Sequence, residues 1–404
     1  MKYNSTLFSP RINLAGSPDS ATKDSWTSGF LTPVCTLRCD SRTLQSVATV
    51  GASVIQTWSD PLEALRWMSQ TFWPGKGRWI GYLSYDLGRL FEQLPQQAAD
   101  DLNLPLFAFT YCRPVGERIY APEPEYGLCH QKLQSNFTRP QYESAVARAI
   151  EFIRAGDVFQ VNLSQRFSVG MRVHPALVYQ QLLRNSPGRY AAYLGLGDFA
   201  ILSNSPELFF RVTPDRKIIT CPIKGTRPAS PGMREELLHS EKDKAELNMI
   251  VDIERNDLGR VCTIPSVRVT APRVIESHPT LFHGVATIEG TLRDDVTFVD
   301  LLRAIFPGGS VTGAPKIRAM QIIDELEPVR RGPYCGAIGY IAADGSMEFN
   351  VAIRTIIVKD GLAYIPVGGG IVADSDPAAE YEETLVKARA MFAALGVCSD
   401  DLIR

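Results

Sequence analysis

Apolar positions change their spacing along the chain, and that spacing predicts its elements. Val146, Ala149, Ile150 and Ile153 keep a helical repeat from Tyr142 until Gly156, a residue suited to stopping a helix. Val158-Phe159-Gln160-Val161-Asn162-Leu163 then alternates apolar and polar residues, the period of a strand. Ile201-Leu202-Ser203-Asn204 predicts another strand, running into Ser205-Pro206-Glu207-Leu208. Helical segments are expected at 234–257, 298–306, 314–326 and 378–395, with strands at 337–342, 347–358 and 362–367 between them. Upstream, Trp79 to Leu87 reads as an apolar strand punctuated by glycine and aromatics. Residues 113–140, rich in Pro, Gly, Glu and Gln, suit a linker or long surface loop. That stretch separates an N-terminal region, 1–140, from a core, 141–404, the two expected to pack as one structural domain. Strands and helices mix without a regular β-α alternation, so an α+β fold is indicated rather than a doubly wound parallel sheet.

Composition narrows the class only a little. The 404 residues are 45% hydrophobic and 21% charged, with a formal net charge of -2, enough for a large core. Near-neutral charge gives no reason to expect nucleic acid or a membrane surface as partner. No apolar run is long enough to span a bilayer, and Met1 to Ser5 lacks a secretion signal's apolar core. The eight cysteines are scattered, and no second Cys or His pair completes a zinc set with Cys35 and Cys39. Reduced thiols and a cytoplasmic location are therefore expected.

Candidate chemistry begins at Pro222-Ile223-Lys224-Gly225-Thr226. A strand ending at proline and turning through glycine would hold the Lys224 ammonium at the strand's mouth, where desolvation favours a nucleophilic amine. A surface lysine in a turn is the commoner meaning of such a run. The company of Lys224 changes the picture. Asp243 and Glu246 lie three apart on one predicted helix, and Glu380 and Glu383 repeat that spacing on the last. Each pair alone is usually a solvated face. Converging on one pocket, they would demand a cation, and their hard oxygens suit Mg²⁺.

Anion-binding elements follow. Gly368-Gly369-Gly370 permits close backbone approach and suits a carboxylate cradle, with a tight turn as the equal alternative. Arg354, among apolar residues of a predicted strand, asks for a bidentate anion. Lys387 follows Glu383 by four residues, which also suits a plain helix ion pair. Gly308 to Lys316 is a glycine-rich turn feeding a helix, without the ending of a nucleotide loop. Glu207, after a proline at a strand end, is a candidate proton donor. His283 in Leu281 to Val285 is more often a hydrogen-bonded core residue than a catalyst.

Several of these pieces occur together, in order: FQVNLSQRF at Phe159 to Phe167, SPEL at Ser205 to Leu208, PIKGT at Pro222 to Thr226, and MIVDIERNDLGRV at Met249 to Val261. FPGGSVTGAPKIRAM at Phe306 to Met320, AIRT at Ala352 to Thr355 and GGGIV at Gly368 to Val372 complete the set. The chain thereby resembles the chorismate-utilising enzymes, the anthranilate synthase component 1-like family, through nearly all of 141–404 and more weakly at Gly81-Tyr82-Leu83. The resemblance implies a large β-sheet sandwich flanked by helices. Relatives that make anthranilate or isochorismate typically carry alanine where this chain has Lys224, so lysine implies the aminodeoxychorismate-forming branch. Gln160 stands where isochorismate-forming relatives use a lysine base. The tryptophan-sensing serine motif of feedback-regulated relatives is not evident.

That resemblance implies a reaction as well. Chorismate's carboxylates would be held by Arg354, Lys387 and the Gly368, Gly369 and Gly370 backbone, with Thr312, Gly313 and Tyr340 as further substrate contacts. Mg²⁺ would be bound by Glu246 and Glu383 directly, and by Glu380 and Asp243 through water. Lys224 would add at carbon 2 while Glu207 protonates the departing carbon-4 hydroxyl, with His283 a further catalytic candidate. Ammonia would then displace the lysine, giving 4-amino-4-deoxychorismate for para-aminobenzoate and folate synthesis. Gly396-Val397-Cys398 superficially resembles a glutaminase nucleophile turn, but no histidine follows it, so a separate glutamine amidotransferase subunit is expected to supply the ammonia. The alternatives are an anthranilate synthase component 1 and a non-catalytic chorismate-binding subunit.

Overall fold

The computed structural model describes residues 11–15, 31–114, 133–278 and 281–397. Two antiparallel sheets, one of eight strands and one of twelve, stack face to face. Period-2 alternation does the stacking. In the strand Arg78–Leu83, Ile80 and Tyr82 face Leu194, Ile201 and Ile357 of the other sheet, while Trp79 and Leu83 face outward. Helices close both outer faces. Pro175–Asn185 and Pro377–Ala394 lay Leu182, Met391 and Phe392 against Phe167 and Val367. Leu65 of Pro61–Gln70, Leu247 of Glu241–Gly259 and Val299 of Phe298–Ile305 cover Phe107, Phe210 and Phe349 on the opposite side. This is the expected α+β architecture.

The strands Leu31–Cys39, Arg78–Leu83 and Phe107–Pro114 of the N-terminal region are interior members of the twelve-stranded sheet, beside Ala337–Ala342. Of the expected linker, the strand reaches Pro114, and residues 133–140 already carry a short strand and a helix start. The helix Arg139–Arg154 opens earlier than its apolar repeat because Thr138 and Gln141 form a reciprocal cap and Pro140 tolerates the first turn. Cys398 lies outside the described residues.

Four sequence expectations need correction. The strand expected over Trp79 to Leu87 stops at Leu83, because Ser84 caps a 3₁₀ turn, Tyr85–Leu90. The helix expected over 234–257 is two, Met233–His239 and Glu241–Gly259, broken where Ser240 caps the second. Gln160–Gly170 runs well past Leu163 and is paired on both edges. The strand expected over 347–358 is two. Met347–Val351 belongs to the twelve-stranded sheet and Thr355–Lys359 to the eight-stranded one.

That last break positions the site. The chain also crosses between sheets from Phe199–Ser205 to Leu208–Val212. The two crossings are tied together: the Val351 amide donates to the Glu207 carbonyl at 3.1 Å, the Asn204 amide to the Arg354 carbonyl at 3.0 Å, and the Ser205 hydroxyl to the Val351 carbonyl at 2.6 Å. Where both crossings leave the ladders, the sheets part and a cavity opens.

Candidate active site

The cavity encloses about 370 Å³ and takes its walls from both crossings, the helix Glu241–Gly259, the last helix and the strand Leu362–Ile371. Lys224, Glu207, Glu246, Glu383, Glu380, Asp243, Arg354, Lys387, His283, Gly368 and Gly370 all line it. Both acidic helices therefore face one space.

Lys224 is not in a turn. Lys217–Cys221 and Ile223–Pro228 both pair with Leu281–Thr291, as one line interrupted at Pro222 and bulged between Ile223 and Thr226. Gly225, at φ +80°, supplies the left-handed residue of the bulge, and a Cβ there would come within 2.9 Å of the Asp243 Cγ. The bulge aims Lys224 at the long helix, where its Nζ lies 2.7 Å from Glu246 Oε1. The Gln160 amide donates to the same oxygen at 2.6 Å. Burial alone would raise the Glu246 carboxyl, but Lys224, Gln160 and Lys387 together hold it below the ordinary glutamate value.

Glu207 and Arg354 occupy the two crossings. Glu207 is 4% exposed, and burial raises its carboxyl above the usual range although Ser310, Lys224 and Arg354 oppose the shift. A carboxyl so raised is suited to donating a proton. Arg354 does not sit in a strand but in the link between two, at φ +49°, a conformation uncommon for a side chain bearing a Cβ. Burial pulls its guanidinium down, with Glu207 opposing. Among the described residues no carboxylate forms an ion pair with it, so its donor fork faces the cavity without a partner.

The three glycines lie inside the strand Leu362–Ile371, with no left-handed residue among them, so neither a cradle nor a tight turn describes their backbone. They are small because the space is taken. A Cβ on Gly370 would lie 2.1 Å from the Gln160 amide nitrogen, and one on Gly369 would lie 3.2 Å from Glu380 Oε2 and 3.4 Å from Glu383 Oε1. Gly368 and Gly370 oppose Ser164 and Asn162, whose amides point away to Glu327 and Thr312. In an antiparallel ladder such non-bonded pairs turn N–H and C=O outward. The Gly368 carbonyl accordingly accepts from Lys387 Nζ at 2.9 Å, and the amides of Gly368 and Gly370 face the cavity. An extended edge, not a loop, presents these amides to the cavity.

Other candidates fall elsewhere. Thr312 is fully buried, its hydroxyl donating to the Gly308 carbonyl at 2.9 Å, and Gly313 has the Gln160 carbonyl 2.1 Å from where its Cβ would stand. Tyr340 packs between the sheets, with Arg78 over its ring at 4.5 Å. None of the three lines the cavity. The helix Lys316–Leu326 offers no anion site there either, since Lys316 turns to Asp257 at 2.5 Å. Ser310, Tyr334, Thr226, Arg227 and Lys242 line the cavity unforeseen. Ser310 and Thr226 sit inside motifs already singled out, whereas Tyr334 carries no local signal.

His283 is 2% exposed, and burial with the charge of Arg354 pushes its imidazole down to about 3, so it is neutral at ordinary pH. Its Nδ1 lies 2.9 Å from the Thr226 hydroxyl.

The donor set suits a hard cation in chemistry. Glu246, Glu380 and Glu383 each give one oxygen to a protein donor (Lys224, Ser375 and Lys387 respectively), leaving the second free, and all three approach Gly369 and Gly370. Asp243 does not join them, because Arg227 holds it at 3.0 Å. Among the described residues no three such groups stand close enough to chelate an ion as placed.

Comparison with known proteins gives the family. Residues 118–393 match the model of the chorismate binding enzyme family. The chain is 39% identical to anthranilate synthase component 1 of Thermus thermophilus, covering 88% of this chain and 86% of that protein. It is 38% identical to aminodeoxychorismate synthase component 1 of Escherichia coli, with the same two coverages of 88% and 86%. The crystal structure of anthranilate synthase component I from Streptococcus pneumoniae superposes with a TM-score of 0.79 at 31% identity, over 94% of this chain and 95% of that one. No described helix is long and apolar enough to cross a membrane. The chain belongs to the chorismate binding enzyme family.

Proposed function

We propose that the chain is the chorismate-converting component of an aminodeoxychorismate synthase. The observation that carries this reading is Lys224: a bulge presents its amine inside the cavity, between Glu246 and the buried acid Glu207. An elimination of pyruvate needs no such nucleophile. Addition of the Lys224 amine at carbon 2 shifts both ring double bonds and breaks the carbon-4 to oxygen bond, and Glu207 gives its proton to the leaving hydroxyl, which departs as water. Ammonia then forms a bond at carbon 4, both double bonds shift back, and the lysine leaves carbon 2. Glu207 regains its proton from the nitrogen that ammonia contributed.

Arg354, Lys387 and the outward amides of Gly368 and Gly370 supply donors for the substrate's carboxylates. Glu246, Glu383 and Glu380 would hold Mg²⁺, which when bound neutralises carboxylate charge beside the ring. The Lys224–Glu246 and Lys387–Glu383 pairs must then open to admit ligands. The neutral His283 imidazole accepts or donates a hydrogen bond at the ring without adding charge. A separate amidotransferase is the ammonia source in this reading.

The near-equal identity to the two kinds of relative, 39% and 38%, keeps anthranilate synthase component 1 as the second reading. Incubation with chorismate, Mg²⁺ and ammonium, followed by mass spectrometry, separates them. The proposal expects 4-amino-4-deoxychorismate; fluorescent anthranilate formed directly would overturn it, and unchanged chorismate would indicate binding alone.

A further inference from the structure

Behind the cavity lies a buried pair that the reaction does not use. Arg331 and Glu327 have side chains only 2% and 4% exposed. The guanidinium donates from Nε to Glu327 Oε2 at 2.9 Å and from Nη2 to Oε1 at 2.6 Å. Its remaining donors reach two different backbone segments, the Asn162 carbonyl at 2.7 Å and the Val311 carbonyl at 2.9 Å. Glu327 grips the first segment a second time, accepting from both the amide and the hydroxyl of Ser164 at 2.8 Å. Tyr85 stacks beneath the guanidinium at 4.7 Å. Both clamped segments carry cavity residues, Asn162 on one and Ser310 with Val311 on the other. Ser310 in turn lines the cavity beside the Glu207 carboxyl and favours its ionised form.

A buried ion pair is weak evidence for stability, since desolvation offsets most of its attraction. What this one supplies is geometry. A planar fork engages a carboxylate and two carbonyls at once, and a lysine cannot reproduce that. We propose that Arg331 and Glu327 are positioning residues for Glu207: by fixing Asn162 and Val311 they hold the Ser310 hydroxyl on the proton donor and aim it into the cavity. This inference rests on the reading of Glu207 as the acid.

The groups facing Glu207 are Lys224 from the bulged strand, Arg354 from the second crossing, Glu254 from the long helix and the Cys335 thiol. None contacts Arg331 except through the shared field, and Arg331→Lys keeps the charge, so it changes geometry without changing that field. A hydroxyl donating to a carboxylate favours its ionised form. Ser310→Ala should therefore move the alkaline limb of the kcat/KM profile for chorismate, measured with ammonium, to higher pH. Arg331→Lys should move it in the same direction by a similar amount, and the double variant should move it no further than Ser310→Ala alone. Should Arg331→Lys fold poorly, Glu327→Gln, which keeps an acceptor for Ser164, should give a smaller shift of the same sign. A lowered Tm with an unmoved limb in Arg331→Lys, or in Glu327→Gln where that replaces it, would overturn the positioning role. A limb that fails to move in Ser310→Ala would instead count against Glu207 as the acid, and so against the reaction proposed above.

Discussion

The two walls of the cavity are built differently. On the helix wall, Glu383 and Lys387 are nearly half exposed, at 49% and 43%, and pair with each other, while Glu246 pairs across the cavity with Lys224. On the sheet wall, Glu207 and Arg354 are enclosed by the crossings, and behind them Arg331 and Glu327 are saturated by backbone. The Glu383–Lys387 pair of the helix wall can exchange partners at little cost, because exposed ion pairs are worth about 0–1 kcal/mol. The sheet wall cannot, because an unpaired buried charge costs several kcal/mol. One wall is arranged to receive charge and the other to keep its geometry while doing so.

Breaking the sheet wall or its reacting groups should therefore cost most. Lys224→Ala should lower ammonium-dependent kcat on the order of 10³-fold or more, since groups that form the covalent bond act as a unit with their partners; steady-state kinetics with product identification checks it. Glu207→Gln should lower kcat by about 10²–10⁴-fold, the range of a lost general acid, with KM little changed. In the parent, activity should fall as pH rises through the raised Glu207 value, because the acid is then ionised. Arg354→Lys should weaken chorismate binding by about 1.5–3 kcal/mol, read by calorimetry, through loss of the planar fork. Lys387→Met on the helix wall should do less, through KM and salt dependence.

Glu254 offers a stability test of the interior behind Glu207. Burial is the main cause raising its carboxyl to about 8, and among the described residues its Oε2 has no hydrogen-bond partner. A folded value above the unfolded one favours folding of the neutral form, and that advantage is lost as pH rises through the folded value. Glu254→Gln should accordingly melt like the parent near pH 4 and be the more stable at pH 8, by at most about 4 kcal/mol.

Sequence patterning revealed the elements well and their interruptions poorly. The 3.6-residue repeat found the helix at Arg139–Arg154 and the runs of apolar residues found several strands, Ala337–Ala342 among them. Ile353-Arg354-Thr355 looked like uninterrupted strand because apolar residues flank it on both sides, Val351-Ala352 before and Ile356-Ile357 after, and nothing local says they belong to different sheets. Site residues carried by ordered motifs, such as Glu207, Lys224 and Arg354, come together. Thr312 and Gly313 share such a motif but serve its packing, while Ser310 two residues earlier reaches Glu207. A motif identifies a segment; which of its side chains enters the cavity depends on a backbone direction that spacing alone does not encode. Tyr334 and the Arg331–Glu327 pair depend on contacts more than a hundred residues apart in the chain, such as Arg331 to Asn162, and so were invisible.

The most direct test of the account is the covalent state of Lys224. The protein incubated with chorismate and Mg²⁺ but no ammonia, then quenched and digested, should yield the Lys224 peptide heavier by one chorismate less one water, and ammonium should discharge it. An unmodified Lys224 peptide from protein that converts chorismate to 4-amino-4-deoxychorismate once ammonium is added would contradict the account.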